Sequence, residues 1–278
     1  MVKRNATWIT ETAEDKTAGL DARKLPIHDP IDPAPPLCYA GAMPRFLLPP
    51  QDWVNAELLG DEAKHLSQVL RIKSGAEITV FDGRGRRASA IVGEASRQRV
   101  TLELKESSLS APPLPAVTLA QAIPKGKNMD LIVQKAVELG VAAIQPLITR
   151  HTIVQPGEGK ADKWRRIALE ACKQCGQDTL PEIAEPITFD EWIHANGFDG
   201  LSIIASLAHG AKPMREILRE QSDCQKIRLL VGPEGDFSSE ETANALQSGY
   251  QAVTLGEIVL RVETASLFCL SAIRYEYC

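Results

Sequence analysis

The stretch that most constrains the fold is a predicted strand that ends in a glycine turn and runs directly into a helix. Residues 227–231 are apolar except for one arginine, a pattern typical of a short buried strand. The strand stops at a Gly-Pro-Glu-Gly turn over residues 232–235. Ser238, with Glu241 three residues later, fits a capping box at the start of a helix. Strand, turn and helix start are therefore predicted to follow one another without a long loop.

A second glycine turn follows a second predicted strand. That strand covers residues 252–255 and ends at Gly256, and an apolar helix is predicted over residues 266–275. Upstream, predicted strands alternate with predicted helices, in the order 117–123, 127–139, 143–148, 160–175, 201–206 and 212–220. This alternation is typical of an α/β domain with a mainly parallel sheet. Two strand ends that turn through glycine can form one ligand pocket at the carboxyl edge of such a sheet.

The region before the α/β domain divides into two segments. Residues 1–42 are polar and rich in proline, so we expect an extension with little structure and a compact protein that starts at Met43. Short alternating runs and an Asp-Gly turn predict a small β-barrel domain over residues 43–111. A Pro-Pro-Leu-Pro linker at residues 112–115 separates it from the α/β domain, residues 116–278.

Composition favours a cytoplasmic protein with reduced thiols. No apolar run among the 278 residues reaches the length of a membrane span, and the N-terminus does not resemble a secretory signal. Six cysteines without dense spacing favour free thiols. The Cys-x-x-Cys at residues 172–175 has no second pair to complete a zinc site, so we expect packing or surface thiols and no metal. His65 and His209 are interpreted as a helix-face residue and a loop residue.

The net charge of -5 argues mildly against a nucleic-acid partner, but the charge is unevenly spread. Between residues 84 and 99 five arginines face only Glu94. A phosphate backbone senses local charge, so this cluster keeps RNA binding open. The alternative is a solvated arginine-rich strand edge.

The glycine loop is ambiguous when it is considered alone. Residues 232–235 could bind phosphate at a helix N-terminus, but they lack the Lys-Ser/Thr of a P-loop and the G-x-G-x-x-G spacing. A purely structural turn is the alternative. Arg261, Glu263 and Thr264, predicted at the end of the second strand, favour a ligand site because charged residues are costly to bury there without a purpose.

Several stretches together resemble the RsmE family of SPOUT RNA methyltransferases. The most specific are Leu-Val-Gly-Pro-Glu-Gly at residues 230–235 and Val-Leu-Arg-Val-Glu-Thr-Ala at residues 259–265, with Leu-Gly at 255–256. Further matches lie at residues 65–71, 80–83, 128–141 and 170–176. The resemblance covers about residues 44–275.

The resemblance implies a PUA-like β-barrel followed by an α/β domain with a deep trefoil knot, and a homodimer. It also implies S-adenosylmethionine as cofactor and, as substrate, N3 of a uridine in 16S rRNA of the assembled small ribosomal subunit. The implied cofactor pocket is lined by Leu207, Gly232, Pro233, Glu234, Gly235, Leu255, Gly256, Leu260, Thr264 and Ala265.

Arg261 and Glu263 are the expected catalytic residues. Methyl transfer is an in-line displacement at a carbon that the sulfonium already activates, so the protein contributes mainly alignment and removal of the N3 proton. A nearby cation favours the N3 anion. We assign that role to Arg261, with Glu263 as its orienting partner or as part of the dimer contact. RNA contacts are expected from the basic residues Arg71, Arg84, Arg86, Arg87, Arg97, Arg99 and Lys173.

The chain departs from the family pattern at three positions. Ile258 and Gln177 stand where the family usually has arginines, and Asp236 stands where a second glycine is common, although an acid suits a helix N-terminus. The missing arginines leave open a SPOUT methyltransferase that acts on another RNA nucleoside, or a non-catalytic RNA-binding assembly factor. The presence of Glu234, Arg261, Glu263 and Thr264 argues against the latter.

Overall fold

In the computed structural model, the architecture changes from mainly antiparallel strands to alternating strands and helices between Leu109 and Ala116. The structure describes residues 43–154, 156–195, 197–207 and 210–277. The expected extension over residues 1–42 and the expected loop residue His209 lie outside these ranges. The Pro-rich linker lies between the last strand of one sheet, which ends at Leu109, and the first strand of the next, which begins at Ala116.

The first sheet, with its short helix, forms what we call the β domain. Its strands are β1 (Arg45–Leu47), β2 (Glu57–Leu59), β3 (Glu77–Phe81), β4 (Arg86–Ala95) and β5 (Arg99–Leu109). Helix α1 (Gly60–Lys64) continues into a π-helical turn, His65–Val69. The strand order is β1-β3-β4-β5-β2, and only the β1–β3 pair is parallel.

One apolar core takes side chains from every strand of the β domain. Phe46, Ile78 and Val80 are fully buried, and Leu66 from the π-helical turn closes the core beneath them. Along β4 buried and partly exposed residues alternate, as expected for a strand with one solvated face. The arginine cluster lies at the ends of these strands, with Arg86 and Arg87 at the start of β4, Arg99 at the start of β5, and Arg84 and Arg97 in the adjoining turns.

The second sheet is sandwiched between helices and forms the α/β domain. Its elements are β6 (Ala116–Ala122), α2 (Asn128–Glu138), β7 (Ala143–Ile148), α3 (Lys160–Cys175), β8 (Glu182–Ile183), β9 (Ile187–Thr188), α4 (Phe189–Ile193), β10 (Leu201–Ala205), β11 (Lys212–Pro213), α5 (Met214–Glu220), β12 (Lys226–Val231), α6 (Ser239–Gln247), β13 (Gln251–Thr254) and α7 (Val262–Tyr277). The strand order is β11-β13-β10-β12-β6-β7-β8, with β9 on β7, and each pairing is parallel. The predicted parallel sheet is confirmed.

Neighbouring residues of the central strands enter different cores. Leu229 packs in the larger cluster on one face of the sheet, and Leu230 packs in the smaller cluster on the other. Side chains alternate across a strand, so a sheet covered on both faces requires a continuous apolar run. This explains the pattern of residues 227–231.

Two predicted helix boundaries were wrong. The helix predicted over residues 212–220 begins at Met214, because Lys212 and Pro213 pair with β13 as an edge strand, where proline is tolerated. The last helix was predicted from residue 266 but begins at Val262. Glu263 therefore lies in the first helical turn rather than at a strand end, where its charge suits the helix dipole.

The β domain is joined to the α/β domain through the segment that follows α3. Asp178 is buried and accepts a hydrogen bond from Arg45 of β1 at 2.6 Å and one from Ser110 at 3.2 Å. Backbone bonds add to this contact, from Gly85 N to Asp178 O at 3.0 Å and from Leu180 N to Gly83 O at 2.9 Å. The described residues from Met43 onward accordingly form one compact unit.

Among the described residues, no helix is long and apolar enough to cross a membrane. The trefoil knot implied by the resemblance stays a prediction.

Candidate functional site

A cavity of about 480 Å³ opens where four adjacent strands end. The strands are β13, β10, β12 and β6, which are neighbours in the sheet although they are far apart in the chain. Their registers bring their carboxyl ends level, with Ala205 opposite Val253 and Val231 opposite Gln121. Ligands of open parallel sheets bind at this edge.

The cavity brings together most of the predicted cofactor-binding residues and both predicted catalytic residues. Its walls include Leu207, Gly232, Pro233, Glu234, Leu255, Gly256, Leu260, Arg261, Glu263 and Ala265. Gly235 and Thr264 adjoin lining residues in the chain but are not among the lining residues themselves. The two glycine turns thus form two edges of one site, as the parallel-sheet argument predicted.

Close packing explains the first glycine of the loop after β12. A Cβ at Gly232 would lie 3.0 Å from Asp236 Oδ1 and 3.3 Å from Phe237 Cδ2. Asp236 has a left-handed φ of 57°, a conformation that aspartate tolerates better than most residues, and its carboxylate accepts the Phe237 N–H at 2.8 Å. The capping box of Ser238 and Glu241 is present, so α6 starts beyond Asp236.

His151, which follows β7, contacts the same loop from two strands away in the sheet. Its Nδ1 lies 3.0 Å from Gly235 O and 2.9 Å from Asp236 O. Both partners are carbonyl oxygens, so Nδ1 is the donor. Sequence reasoning did not identify this residue, because His151 follows β7 and lies 84 residues from Gly235.

The second glycine turn requires a conformation that other residues rarely adopt. Gly256 has a φ of 117°, and the Thr254 hydroxyl lies 3.3 Å from its backbone N. The chain then passes through Ile258 and Val259, which line the cavity while remaining 78% and 71% exposed. This edge of the site is therefore open to a large partner.

Two acidic residues of the cavity are held by the segment that joins β6 to the start of α2. Glu234 Oε1 accepts a hydrogen bond from the Lys125 backbone N at 2.9 Å. Glu263 Oε2 accepts one from Asn128 Nδ2 at 3.3 Å. Arg261 is exposed and has no ion-pair partner among the described residues. Glu263 thus contacts Asn128 and forms no ion pair with Arg261 among the described residues, and its expected role, as orienting partner of Arg261 or as part of the dimer contact, stays a prediction.

Six of the predicted RNA contacts are exposed on the β domain. Arg99 pairs with Glu57 at 2.8 Å, and Arg87 donates to Ser108 at 3.2 Å. The guanidinium of Arg86 lies over the Trp53 ring, 5.2 Å from its centroid. The remaining three arginines are exposed as well, and they are Arg71, Arg84 and Arg97.

Lys173 does not join this exposed set. Its side chain is only 8% exposed, and its ammonium lies 2.6 Å from Glu62 and 3.0 Å from Glu170. Glu62 in turn accepts the Leu47 backbone N–H at 3.0 Å. This placement gives Lys173 a structural role, in which it ties α3 to the β domain, rather than the predicted RNA contact.

The Cys-x-x-Cys motif consists of one buried thiol, Cys172, and one exposed residue, Cys175. Burial is the main reason that the pKa of Cys172 is raised to about 12, and burial also raises the pKa of Cys175. A reactive thiol requires a lowered pKa. Within the described ranges, no group of three or more histidine, cysteine or acidic residues could hold a metal ion.

Comparison with known proteins decides the family. The model of an RNA methyltransferase domain matches residues 111–274, and that of an RNA methyltransferase PUA domain matches residues 58–105. A relative from Synechocystis, ribosomal RNA small subunit methyltransferase E, is 32% identical over 232 residues, which cover 82% of this chain and 76% of the relative. The chain belongs to the RsmE family. The Bacillus subtilis protein of the same name is 27% identical over 228 residues, which cover 79% of this chain and 89% of that protein.

Solved structures of methyltransferases share the fold. The Neisseria gonorrhoeae ribosomal RNA small subunit methyltransferase E, bound to S-adenosylmethionine, is 33% identical with a TM-score of 0.76, and the match covers 84% of this chain and 97% of that one. A Legionella pneumophila methyltransferase in complex with the same cofactor is 32% identical with a TM-score of 0.73, covering 79% and 90%. The predicted fold class, a PUA-like domain followed by an α/β methyltransferase domain, is confirmed.

Two of the departures from the RsmE pattern have clear structural contexts. Gln177 donates through Nε2 to Val137 O at 2.6 Å, and its own carbonyl accepts from Arg45 at 3.0 Å, so it acts in the contact between the domains. Ile258 lies on the open edge of the cavity, so the missing arginine there removes a cation from the site itself.

Proposed function

We propose that the protein uses S-adenosylmethionine to methylate N3 of a uridine in 16S rRNA of the small ribosomal subunit. The observation that carries this proposal is the single cavity at the carboxyl ends of β6, β10, β12 and β13, where both glycine turns meet Arg261. Membership of the RsmE family supports it, as do two relatives whose structures contain S-adenosylmethionine.

The cavity suits this cofactor in size and chemistry. Its volume of about 480 Å³ lies within the usual range for small-molecule sites. S-adenosylmethionine carries a sulfonium and an adenine but no phosphate, so its site needs backbone donors and acceptors at close range together with apolar walls. Gly232 and Gly256 allow the close approach of the backbone, and Leu255 and Leu260 supply apolar surface.

The residues of the site then align and activate the acceptor. When bound, the cofactor supplies a methyl carbon activated by the sulfonium. Arg261, exposed at the cavity, favours the deprotonated N3 of a uridine by its positive charge. The hydrogen bond from Asn128 to Glu263 holds the first turn of α7 against the start of α2. Positioning accounts for most of the rate gain in such a displacement.

The remaining parts of the proposal concern partners and organisation. The exposed arginines of the β domain bind the phosphate backbone of the rRNA, so this domain positions the subunit relative to the cavity. We further propose a homodimer, a trefoil knot around the two glycine turns, and action in the cytoplasm. Residues 43–111 and 116–278 act as the RNA-binding and methyltransferase domains, and residues 1–42 are an extension not needed for catalysis.

Mass spectrometry of rRNA nucleosides from a deletion strain tests this function. The mutant should lack 3-methyluridine in 16S rRNA, and a chain that starts at Met43 should restore it. The persistence of 3-methyluridine in the mutant would remove the proposed reaction. Loss of a different methylated nucleoside would favour the second candidate, a methyltransferase for another RNA nucleoside, which the exposed Ile258 in place of an arginine supports.

A further inference from the structure

The loop between β6 and α2 is anchored at both ends to the cavity. We call residues 124–127, Pro-Lys-Gly-Lys, the lysine loop. At one end Glu234, from the loop after β12, accepts the Lys125 backbone N–H at 2.9 Å. At the other end Asn128, which lines the cavity, donates to Glu263 of α7 at 3.3 Å. The backbone of the lysine loop is therefore fixed between the two edges of the site.

The ammonium groups of the lysine loop are left available by this arrangement. Lys125 and Lys127 are exposed, and neither has an ion-pair partner among the described residues. By contrast Lys135 and Lys163, on the helices that follow, pair with Glu138 and Asp130. The two acidic side chains next to the loop do not pair with its lysine side chains. Glu234 accepts the Lys125 backbone N–H, and Glu263 accepts a hydrogen bond from Asn128.

Space around the lysine loop is open as well. Gly126, at a φ of 65°, has no heavy atom within 4 Å of the position that a Cβ would occupy. Arg261 is also exposed at the same cavity and unpaired among the described residues. Arg261 therefore lines the cavity beside the exposed Ile258 and Val259, and Lys125 and Lys127 lie on a loop whose backbone contacts the lining residue Glu234.

We infer that the lysine loop binds a backbone phosphate of the RNA next to the nucleotide that enters the cavity. This inference rests on the proposed function. Phosphate contacts fix the position and register of a nucleic acid without reading its sequence. S-adenosylmethionine has no phosphate, a single carboxylate and a net positive charge, so two unpaired lysines on a loop beside the cavity match the RNA better than the cofactor. The loop would add a contact beside the reacting base to the more distant contacts of the β domain.

Single and double substitutions, Lys125→Gln and Lys127→Gln, test the inference. Binding to small ribosomal subunits that lack the modification is measured between about 50 and about 200 mM salt. The slope of log affinity against log salt should fall by about 0.7 to 1 for each lysine removed. Lys125→Arg with Lys127→Arg should retain the wild-type slope, because the charge is kept. Circular dichroism melts establish that each variant is folded.

Lys226→Gln provides the matched control. Lys226 is exposed, like the lysines of the loop, but it begins β12 and lies at the opposite end of that strand from Gly232. Its removal should leave the salt slope unchanged. A slope that falls equally in the control and in the loop variants would overturn the inference, because it would show a general charge effect.

Cofactor binding separates this inference from the proposed function. The dissociation constant of S-adenosylmethionine, measured by calorimetry, should be the same in the wild type and the loop variants. A loss of cofactor affinity with an unchanged salt slope would assign the lysines to the methionine carboxylate and overturn the inference. If wild-type protein binds subunits but transfers no methyl group, the proposed reaction fails while the salt slope still reports on the loop.

Discussion

Removal of the Asp178 carboxylate should destabilise the protein because it leaves a buried arginine without its charge partner. The side chains of Arg45 and Asp178 are 13% and 5% exposed, and their closest atoms lie 2.6 Å apart. In Asp178→Ala, the Arg45 guanidinium keeps the Gln177 carbonyl at 3.0 Å and the Phe81 ring, 4.9 Å from its centroid, but no carboxylate. Ser110 also loses the acceptor of its hydroxyl.

The expected loss of unfolding free energy is about 3 kcal/mol. Breaking a buried pair by removal of one partner costs about 3 to 5 kcal/mol, and the remaining carbonyl places Arg45 at the low end of this range. For a protein of this size such a loss lowers Tm by roughly 6 to 12 °C. The affinity for S-adenosylmethionine should not change, because Asp178 does not line the cavity.

Glu185→Ala is the control for this experiment. Glu185 pairs with Arg165 at 2.8 Å, but the two side chains are 69% and 41% exposed, so its loss should cost less than about 1 kcal/mol. Urea unfolding of both variants measures the difference. Losses that agree within about 1 kcal/mol would refute the argument that burial makes the Asp178 contact strong.

Three further predictions concern catalysis, RNA binding and pH. Arg261→Ala should lower kcat for methyl transfer by about 100-fold with little change in cofactor affinity; an equal loss of both would contradict the role assigned to Arg261. Arg84→Glu with Arg97→Glu should weaken RNA binding and flatten its salt dependence at constant cofactor affinity, and an unchanged salt dependence would contradict the proposed RNA surface. Burial raises the pKa of Cys269 from 9.0 to about 12. The unfolded thiol therefore ionises first as the pH rises above 9, so the wild type should lose about 1.4 kcal/mol of stability by pH 10 that Cys269→Ala retains; urea unfolding at pH 8 and pH 10 measures this, and equal losses in both proteins would refute it.

Local patterns predicted the elements of the α/β domain well. The strand at Ala143–Ile148 and the helix at Lys160–Cys175 have the predicted bounds, and the capping box at Ser238 is present. These features depend on side-chain period and on capping chemistry within a few residues, both of which are visible in the sequence.

The contacts that complete the site could not be predicted in this way. Asn128 and Glu263 are 135 residues apart, and the Lys125 backbone and Glu234 are 109 apart. They meet because β6 lies beside β12, an order that no local pattern specifies. Lys173 was misassigned for the same reason, since its partner Glu62 lies in the other domain.

Methyl transfer by the purified protein tests the central proposal most directly. Small ribosomal subunits that lack the modification are incubated with S-adenosylmethionine that carries a deuterated methyl group, and the 16S rRNA nucleosides are analysed by mass spectrometry. The proposal predicts that the label appears in 3-methyluridine and that Arg261→Ala nearly abolishes it. Label in another nucleoside, or no transfer by protein that binds the cofactor, would contradict it.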